Sequence, residues 1–563
     1  MTRSNNATIL YIGALALFIA SCATQKPPDG GPLDTIPPEI IETSPGKNTT
    51  NFSGTEIMLR FSEYVDRQTT QSSIHISPPL LEPPEYDWSG KKLTIILPGK
   101  LRDNTTYVVS VGTDVADIRN RNKMSHSFSL AFSTGDSIDQ GFFGGEAIDP
   151  KPDGISIFGY RLEDRNSDTL NPSKHPPDYL VQTGSDGKFV FQNIAPGLYR
   201  FIAVRDKIKD NIYDVQLDDF GVLAKDEIVL RNDSLRPPVQ FLLATEDTTR
   251  PEIQTLEAID AHHFSMKLSE AHTQKYFPTQ SLHVRDSISN VEQKIIACIP
   301  NEKRPSQYIV TAADSMHGGK YFVHVDSLQD AAGNIGLVSQ GTSFTSSTEA
   351  DTTRPKLVSI FPADKASSIP PDSMILLNFD DAVVFKQTCA TLKDSTSREV
   401  KFSLQILSTS SYGLLHEAFR MGERYSVCLD LSNIRKVTNN RSVGDSVFCF
   451  YFTTRSEKEV GSLEGTVITA QPETAPINVE LHDAGKGGSN ALRTRAKQDG
   501  GYTFPQIPEG RYVTSAYIDA NNNGKYDPGR PFPFKPAERF GIGRDTLRVR
   551  AQWNTKSPKL LIP

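Results

Sequence analysis

Short segments in which apolar and polar residues alternate recur along most of the chain. Three of them end in acidic residues: LRFSE at residues 59–63, MKLSE at residues 266–270 and LNFDD at residues 377–381. Alternation with a period of two predicts a strand that buries one face. Almost no stretch has the apolar period and the caps of an amphipathic helix. The pattern therefore predicts an all-β protein built from short strands.

These strands belong to a unit of about one hundred residues that occurs three times. Each copy opens with Asp-Thr and a nearby proline, and the openings begin at Asp34, Asp247 and Asp351. Later in each copy a strand is led by tyrosine, at Tyr107, Tyr321 and Tyr425. A polar turn then contains Asp117 in the first copy and Asp330 in the second, and the third copy lacks this acid. Short strands joined by Gly, Asn and Asp turns are typical of antiparallel β-sandwiches.

A second unit occurs twice, at residues 186–206 and 499–519, and the two copies align without a gap. In both copies Asp-Gly makes a tight turn, aromatic residues alternate inward on the next strand, and a Gly-containing turn returns the chain. If the first unit is A and the second B, the order along the chain is A-B-A-A-B. The predicted domains are residues 34–137 (A), 138–245 (B), 246–349 (A), 350–456 (A) and 457–563 (B).

The beginning of the chain has the pattern of a secretory signal. A short basic start precedes an apolar run at residues 9–19, and small residues precede Cys22. The run is too short to span a bilayer. A buried strand or helix is the alternative, but Pro and Gly follow at once and nothing continues the element. We therefore expect residues 1–21 to be a signal peptide and residues 22–33 to be a linker outside the cytoplasm.

The repeated units resemble two known classes of sandwich. Unit A, with its D-T-x-x-P opening, acid-ending strand, Tyr-led strand and polar turn, resembles bacterial Ig-like domains of the surface-layer (SbsA-type) class. Unit B, with its D-G-x-Y-x-F run, resembles the prealbumin-like sandwich of carboxypeptidase-regulatory-like and Cna-B-like domains. The resemblances imply tandem Ig-like and prealbumin-like β-sandwiches after a signal peptide.

The small pair directly before Cys22 resembles the lipobox of bacterial lipoproteins, and the start of the mature chain is similar to the Ig-like lipoproteins of Bacteroidota. This resemblance implies cleavage before Cys22, a covalent lipid such as palmitate on it, and anchoring in the outer membrane. Residues 25–28 are Gln-Lys-Pro-Pro, where acidic residues usually accompany export to the surface in that phylum. The choice between a periplasmic and a surface-facing position therefore stays open.

Composition narrows the possible partners. The 563 residues carry a net charge of −7 and include no basic stripe interleaved with aromatics, so we expect no nucleic-acid partner. Four cysteines follow Cys22 and form no CxxC pair, which argues against a zinc ribbon. Cys428 and Cys449 lie in consecutive predicted strands, at positions alternate to the apolar ones. They are a candidate disulfide, with two free thiols as the alternative.

The loop from Asp519 to Asp527 is a candidate calcium site. Asp519, Asn521, Asn523 and Asp527 reproduce the spacing of the first oxygen ligands of a calcium loop, with Gly524 at the bend. The glutamate that usually completes such a loop is absent, and Glu538 is a candidate substitute. A polar hairpin without metal is the alternative, because Asn, Asp and Gly favour turns.

The equivalent loop of the first B unit has fewer ligands. Asp206, Asp210 and Asp214 keep their places, whereas Ile208 removes a ligand and Asn211 replaces the glycine. This loop is therefore the weaker candidate for a metal site.

Catalytic motifs are lacking, so we expect no enzyme. The chain contains no H-E-x-x-H, G-x-S-x-G or P-loop. His262 and His263 are neighbours at the lip of a strand, and we expect a surface pair rather than a metal site. Glu63, Glu270 and Asp381 end the same strand in three copies, and this recurrence favours a structural role, such as pairing with a turn.

Sugar binding is the main alternative to a structural role, because prealbumin-like sandwiches resemble starch-binding folds. Sugar sites need exposed aromatic platforms. Trp88 is expected in an exposed turn and Trp553 in the core of the last strand.

The sequence thus predicts a non-enzymatic, lipid-anchored envelope protein. Its array of modules would serve a scaffold or adhesion-like role, with the membrane and an unknown envelope protein or glycan as partners. The alternative is a glycan-binding accessory lipoprotein of the outer membrane.

Overall fold

The computed structural model describes residues 34–563 except residues 164, 233–237, 273–276, 302, 331, 337–341 and 486–490. Cys22, the predicted signal peptide and the predicted linker therefore lie outside the described residues. Among those described, no helix is long and apolar enough to cross a membrane. The chain divides into two compact units. The first comprises Met1–Arg161, Pro177–Tyr199 and Val229–Pro238, and the second comprises Leu162–Pro176, Arg200–Ile228 and Val239–Pro563.

The first Ig-like module, residues 34–137, belongs to the first unit. Its strands are β1 (Ile40–Ser44), β2 (Glu56–Phe61), β3 (Ile74–Ser77), β4 (Glu85–Ser89), β5 (Lys92–Ile96), β6 (Thr106–Val111) and β7 (Phe128–Ser133). One sheet has the order β1-β2-β5-β4 and the other β3-β6-β7. A short helix, α1 (Arg67–Ser72), starts at Asp66, whose carboxylate accepts a hydrogen bond from the Thr69 N–H at 3.0 Å.

The predicted domain at residues 138–245 is divided between the two units. Its strands are β8 (Gly141–Ile148), β9 (Ser156–Arg161), β10 (Tyr179–Gln182), β11 (Lys188–Ile194), β12 (Gly197–Arg205), β13 (Asp219–Val222), β14 (Ile228–Leu230), β15 (Val239–Leu242) and β16 (Ala244–Thr245). In the first unit β8 pairs with β11 and β9 with β10, all antiparallel. In the second unit β13 lies between β12 and β16.

The second Ig-like module, residues 246–349, lies in the second unit. Its strands are β17 (Ile253–Ala258), β18 (His263–Leu268), β19 (Leu282–Asp286), β20 (Glu292–Gln293), β21 (Ile295–Asn301), β22 (Arg304–Ala312), β23 (Lys320–Val325), β24 (Leu328–Gln329), β25 (Ile335–Gly336) and β26 (Thr342–Thr345). The two main sheets have the orders β17-β18-β22-β21 and β20-β19-β23-β26, and β24 pairs with β25.

The third Ig-like module, residues 350–456, has the same two-sheet plan. Its strands are β27 (Leu357–Phe361), β28 (Ala366–Ile369), β29 (Ile375–Phe379), β30 (Val383–Val384), β31 (Ala390–Lys393), β32 (Phe402–Ser408), β33 (Ser411–His416), β34 (Arg424–Asp430), β35 (Arg435–Lys436) and β36 (Val447–Thr454). The sheets have the orders β27-β29-β33-β32 and β28-β36-β34-β31, with β30 paired to β35.

The last predicted domain, residues 457–563, contains the second copy of unit B. Its strands are β37 (Val460–Thr469), β38 (Ile477–Asp483), β39 (Leu492–Arg495), β40 (Gly501–Pro508), β41 (Gly510–Ile518), β42 (Phe540–Ile542), β43 (Leu547–Val549), β44 (Asn554–Lys556) and β45 (Leu560–Ile562). Strand β37 pairs with β40, β44 and β45, and β41 pairs with β38, β42 and β43. Short 3-10 helices lie at Ser167–Thr169, Thr279–Ser281, Gln387–Cys389 and Glu457–Glu459.

The predicted all-β fold is confirmed, and the alternating strands supply the cores. In the acid-ending strands the apolar positions are fully or almost fully buried, as in Leu59 and Phe61, Met266 and Leu268, and Leu377 and Phe379. The polar residues between them face outward, as period-two alternation requires. Each acid-ending strand therefore delivers its terminal carboxylate to the edge of a well-packed sandwich. The predicted domain boundaries stay predictions.

Candidate functional site

Each Ig-like module brings together three residues that lie far apart in its sequence. They are the opening aspartate, the acid that ends the second strand, and the first residue of the polar turn. We call this set the repeat cluster. Its members are Asp34, Glu63 and Asp117 in the first module, Asp247, Glu270 and Asp330 in the second, and Asp351, Asp381 and Lys436 in the third.

Asparagine side chains of the polar turn tie it to the module opening in all three copies. The Asn120 and Asn122 amides donate to the Asp34 carbonyl at 2.8 and 2.9 Å. Asn334 donates to the Asp247 carbonyl at 2.7 Å, and Asn439 donates to the Asp351 carbonyl at 3.2 Å. The same framework therefore positions the repeat cluster each time. The predicted structural role of the recurrent strand-end acids stays a prediction.

In the second module the cluster is a group of three carboxylates. One oxygen of each of Asp247, Glu270 and Asp330 lies within 4.8 Å of the other two. Asp330 is 1% exposed and accepts hydrogen bonds from the Asn334 backbone N–H at 2.8 Å and from its amide at 2.9 Å. Burial and the charges of Asp247 and Asp330 raise the pKa of Glu270. Three acidic groups therefore lie close together in this cluster.

The first module has acids at the same three positions, and backbone N–H groups and a lysine offset part of their negative charge. Asp117 is buried, yet the backbone N–H groups of Asn120, Arg121 and Asn122 donate to it and hold its pKa below the usual value. Burial, Asp117 and Asp34 raise the pKa of Glu63, whereas the ammonium of Lys91 lowers it. This lysine is fixed nearby because its Nζ donates to the Ser62 carbonyl at 2.7 Å.

In the third module a lysine replaces the turn acid. The Nζ of Lys436 lies 2.5 Å from a carboxylate oxygen of Asp351 and 2.5 Å from one of Asp381. The three side chains are 0%, 1% and 9% exposed, so this is a buried ion triad. Burial alone would raise the pKa of Asp351 and lower that of Lys436, but their contact holds the pKa of the acid down and that of the amine up.

A buried histidine extends this triad. The Nδ1 of His263 lies 2.8 Å from Asp260, and its Nε2 lies 3.2 Å from Asp381. Burial would lower the pKa of His263, but Asp381 and then Asp260 raise it. Because both ring nitrogens face carboxylates, the geometry suits the doubly protonated ring. The Thr311 hydroxyl donates to Asp381 at 3.5 Å.

The expectation of a surface histidine pair is therefore wrong for His263, which is 4% exposed. His262 is half-buried, and its Nδ1 lies 3.2 Å from the Ala312 carbonyl. No local pattern marks His263 as special. The third copy of the polar turn lacks an acid, but this difference concerns Lys436 and does not point to His263.

Hydrogen bonds within the predicted calcium loop hold its turn together. The Asp519 carboxylate is fully buried and accepts from the backbone N–H groups of Asn523 and Gly524, both at 2.9 Å. Asn521 and Asn523 direct their amides to Asp527. All four predicted ligands thus lie in one loop, and their oxygens take part in the hydrogen bonds of the turn. The calcium assignment stays a prediction.

Glu538 reaches this loop, as the sequence suggested. Its two carboxylate oxygens accept from the backbone N–H groups of Ala520 at 2.7 Å and Asp527 at 3.1 Å. Burial raises the pKa of Glu538, and so do the charges of Asp527 and Asp519. It therefore fastens the two ends of the loop to each other.

The equivalent loop of the first B unit has a similar turn. The Asp206 carboxylate accepts from the N–H of Asn211 at 2.8 Å, as Asp519 does from Gly524 five residues on. Asn211 and Gly524 both have a positive φ, 61° and 74°. This backbone conformation explains why Gly or Asn occupies the position. One oxygen of Asp214 is buried without a hydrogen-bond partner.

The candidate disulfide partners lie opposite each other on β34 and β36. Cys428 and Cys449 are register partners, and the structure joins them in a disulfide with a Cα–Cα distance of 4.1 Å. Cys298 and Cys389 are free and buried. Burial raises the pKa of the Cys298 thiol, which disfavours its thiolate form.

The two tryptophans have environments opposite to those predicted from the sequence. Trp88 lies in strand β4 rather than in a turn, and it packs against the core of the first module, stacked on Phe61 with ring centroids 6.2 Å apart. Trp553 is 65% exposed rather than part of a core. It directly precedes the three-residue strand β44. An exposed aromatic platform is thus present in the last module and not at Trp88.

Comparison with protein families matches residues 34–134 to a bacterial Ig-like domain. This match covers the first module, and it confirms the predicted resemblance for that copy. No curated protein matches the chain.

Several solved structures are similar to this chain. They include the N-terminal part of the bacterial S-layer protein SbsC, with 14% identity, 36% of this chain and 44% of that chain covered, and a TM-score of 0.16. SbsC domains 1-6 have 12% identity over 91% of this chain and 65% of that chain, with a TM-score of 0.14. The major pilin subunit BcpA of Bacillus cereus has 11% identity over 50% and 93%, with a TM-score of 0.13. An L,D-transpeptidase from Mycobacterium smegmatis has 14% identity over 30% and 80%, with a TM-score of 0.14. This chain spans less than two thirds of both S-layer structures.

Proposed function

We propose that this protein is a non-enzymatic, lipid-anchored array of β-sandwich modules with a structural or adhesion-like role in the bacterial envelope. One observation carries the proposal. The polar residues that recur between modules face one another inside each module, in the repeat clusters and their asparagine ties, and hold its opening in place. Recurrent polar residues that stabilise their own modules are in keeping with a scaffold role.

Further contacts support a structural role for the chain. Arg530 of the last module lies 2.7 Å from Glu246, which also accepts a hydrogen bond from the Tyr213 hydroxyl at 3.0 Å. Within the second unit, residues nearly three hundred positions apart are therefore fastened together. Such contacts restrict the relative freedom of the modules that they join, as an array that transmits force or presents a surface requires.

The lipid anchor rests on the sequence around Cys22. We expect a Cys22→Ala variant expressed in the native bacterium to leave the outer-membrane fraction, whereas wild type stays in it. Protease added to intact cells, compared with lysed cells, reports which face the array occupies. Recovery of the variant in the same membrane fraction as wild type, with unchanged detergent extraction, would refute the anchor. The scaffold role has its own test: hydrolytic turnover of an envelope polymer by the purified chain would contradict it.

A glycan-binding accessory role is the second candidate, and the exposure of Trp553 favours it. Stacking of sugar rings on an exposed indole needs such a platform. We expect a glycan array probed with wild type to show binding that Trp553→Ala abolishes. Trp88→Ala is the matched control, because that indole packs against the first module's core. If wild type binds no glycan, the scaffold proposal stands and the glycan proposal fails.

A further inference from the structure

We propose that residues 529–537 of the last module are a dedicated docking loop that binds the first B unit of the same chain. The docking loop follows the turn at residues 519–527 and ends directly before Glu538. Its partner surface surrounds Arg200 on strand β12 and the end of strand β13. All of these residues belong to the second compact unit. The inference does not depend on the envelope role proposed above.

The internal repeat identifies this loop as an insertion. In the first B unit, Asp218 accepts a hydrogen bond at 2.9 Å from the N–H of Asp214, four residues earlier. In the last module Glu538 accepts one at 3.1 Å from the N–H of Asp527, which corresponds to Asp214 but lies eleven residues earlier. In both copies a Phe-Gly pair begins two residues after the acid. The last module therefore has seven extra residues between the turn and the next strand.

The extra residues form a turn of their own. The backbone groups of Arg530 and Lys535 exchange two hydrogen bonds, both 2.9 Å long. Prolines at positions 531, 533 and 536 restrict the backbone further, because their rings fix φ. A loop whose shape is already fixed loses less conformational freedom when it binds. The insertion is thus preorganised for contact with a partner.

A buried guanidinium lies at the centre of the partner surface. Arg200 is 1% exposed and forms a two-point ion pair with Asp226, with N–O distances of 2.5 and 2.6 Å. The ring of Phe534 in the docking loop covers this guanidinium, and its centroid lies 4.5 Å from the Arg200 Cζ. Attraction between a cation and an aromatic face is stronger where water is excluded. The docking loop therefore gives an aromatic cover to a charged group of the first B unit.

Two polar contacts lie beside this aromatic cover. The Nε of Arg530 lies 2.7 Å from a carboxylate oxygen of Glu246, the residue that follows the first B unit, and the Glu246 side chain is 9% exposed. The backbone N–H of Ala537 donates to the carbonyl of Leu223, directly after strand β13, at 3.3 Å. Both ends of the insertion thus have a partner outside the last module.

Gly529 shows how closely the docking loop approaches the first B unit. Its φ is 73°, and the equivalent Gln216 has a φ of 72°, so this backbone conformation does not by itself require glycine. A Cβ on Gly529 would lie 2.6 Å from the Cγ2 of Val222 and would also collide with the loop's own backbone. Glycine therefore fits the position because the backbone and Val222 are in close contact.

Docking ties together two parts of the chain that the second and third Ig-like modules separate. These modules, residues 246–456, then lie in a segment whose flanking B units contact each other. We expect the contacting parts of the two B units to open together rather than independently, because each loses buried contacts when the other leaves.

Hydrogen exchange of the full chain, resolved to single amides, tests the proposal. The Ala537 N–H reports docking, whereas the N–H groups of Arg530 and Lys535 report the turn within the loop. Phe534→Ala should speed the exchange of Ala537 about tenfold or more, because it removes the buried cation–π contact, and should leave the two turn amides unchanged. Phe532→Ala is the matched control and should not change the exchange of Ala537, because that ring of the same loop is exposed.

A second variant acts from the opposite side of the contact. Glu246→Gln removes the ion pair with Arg530 without altering the docking loop, so it decides the test if Phe534→Ala disturbs the turn amides. We expect it to speed the exchange of Ala537 about two- to fivefold, because the arginine is partly exposed.

Three outcomes would overturn the proposal. One is an Ala537 amide that exchanges in wild type as fast as an unprotected amide. Another is an unchanged rate for this amide in both Phe534→Ala and Glu246→Gln. The third is protection of Ala537 only at concentrations at which light scattering detects a dimer, because the docking loop would then bind a second copy of the chain.

Discussion

The second and third Ig-like modules share one framework and differ in how its charge is balanced. In the third, Lys436 forms ion pairs with two buried carboxylates, and a disulfide joins two neighbouring strands. In the second, Asp330 replaces the lysine, and His324 stands at the position equivalent to Cys428. The third module thus contains both a buried lysine that pairs with its acids and a disulfide between its own strands.

This difference shows how a repeat can change its requirements without changing its fold. The sandwich core and the asparagine tie are kept, since both depend on backbone geometry and apolar burial. The sign of one turn residue decides whether the two acids lie beside a lysine of the chain or beside a third acid. Four changes sharpen or break the comparison.

The largest effect is expected from Lys436→Met. The substitution keeps the apolar stem and removes the ammonium, so Asp351 and Asp381 are left as buried charges with less compensation. Breaking a buried ion pair on one side costs about 3–5 kcal/mol. We expect a loss of that order in the free energy of unfolding, measured by urea denaturation and assigned to residues 350–456 by hydrogen exchange. Lys401→Met, an exposed lysine of the same module, is the control, and equal effects for both would contradict the triad's importance.

The next effect concerns the cross-link between β34 and β36. The disulfide closes a loop of 21 residues, and loops of that size are stabilised by about 3 kcal/mol through the unfolded chain. The double variant Cys428→Ser, Cys449→Ser should lower the melting temperature of the third module and leave the second unchanged. Wild type under reducing conditions should behave like the variant. A variant as stable as oxidised wild type would show that the bond does not form in solution.

A smaller, pH-dependent effect is expected at His263. Asp381 and Asp260 raise its pKa against the effect of burial, so the folded state binds the proton more tightly than the unfolded state. The stabilisation is complete below about pH 6.5, the unfolded value, and is lost as pH rises through the folded-state pKa. His263→Gln should therefore cost about 1–3 kcal/mol near pH 6 and less near pH 9.

The half-buried neighbour supplies the control for this measurement. His262→Gln should cost less than His263→Gln near pH 6, because its ring contacts only a carbonyl among the hydrogen bonds described. Melting curves of both variants across this range separate the two residues. A His263→Gln effect that grows as pH rises would contradict the assigned charge state.

The smallest effect is expected from Glu63→Gln in the first module. Burial and two neighbouring acids raise the pKa of Glu63, so its charge is slightly unfavourable at neutral pH. Removing that charge should raise the free energy of unfolding by at most about 0.5 kcal/mol, because the group is partly exposed. The gain should vanish near pH 4, where the carboxyl group becomes protonated. A clear loss of stability instead would contradict the unfavourable charge assigned to Glu63.

Much of the fold could be predicted because its strands follow local patterns of apolar and polar residues. The period-two alternation of residues 59–63, 266–270 and 377–381 predicted strands whose apolar side chains are now found buried. The recurring Asp-Thr openings predicted the repeats, and the alternate placement of Cys428 and Cys449 predicted that they face each other. Burial could not be predicted where one side chain departs from its local pattern, as with His263 inside and Trp553 outside.

By itself, the sequence determined the strands, the order of the modules and which residue types recur in each copy. Only the tertiary structure decided that the opening aspartate, the strand-end acid and the turn residue meet, because their proximity comes from sheet topology across more than eighty residues. The missing acid of the third copy was visible in the sequence, but not that its replacement, Lys436, binds both remaining carboxylates. Charge balance in a buried cluster depends on distances between segments, and no local pattern along the chain records those distances.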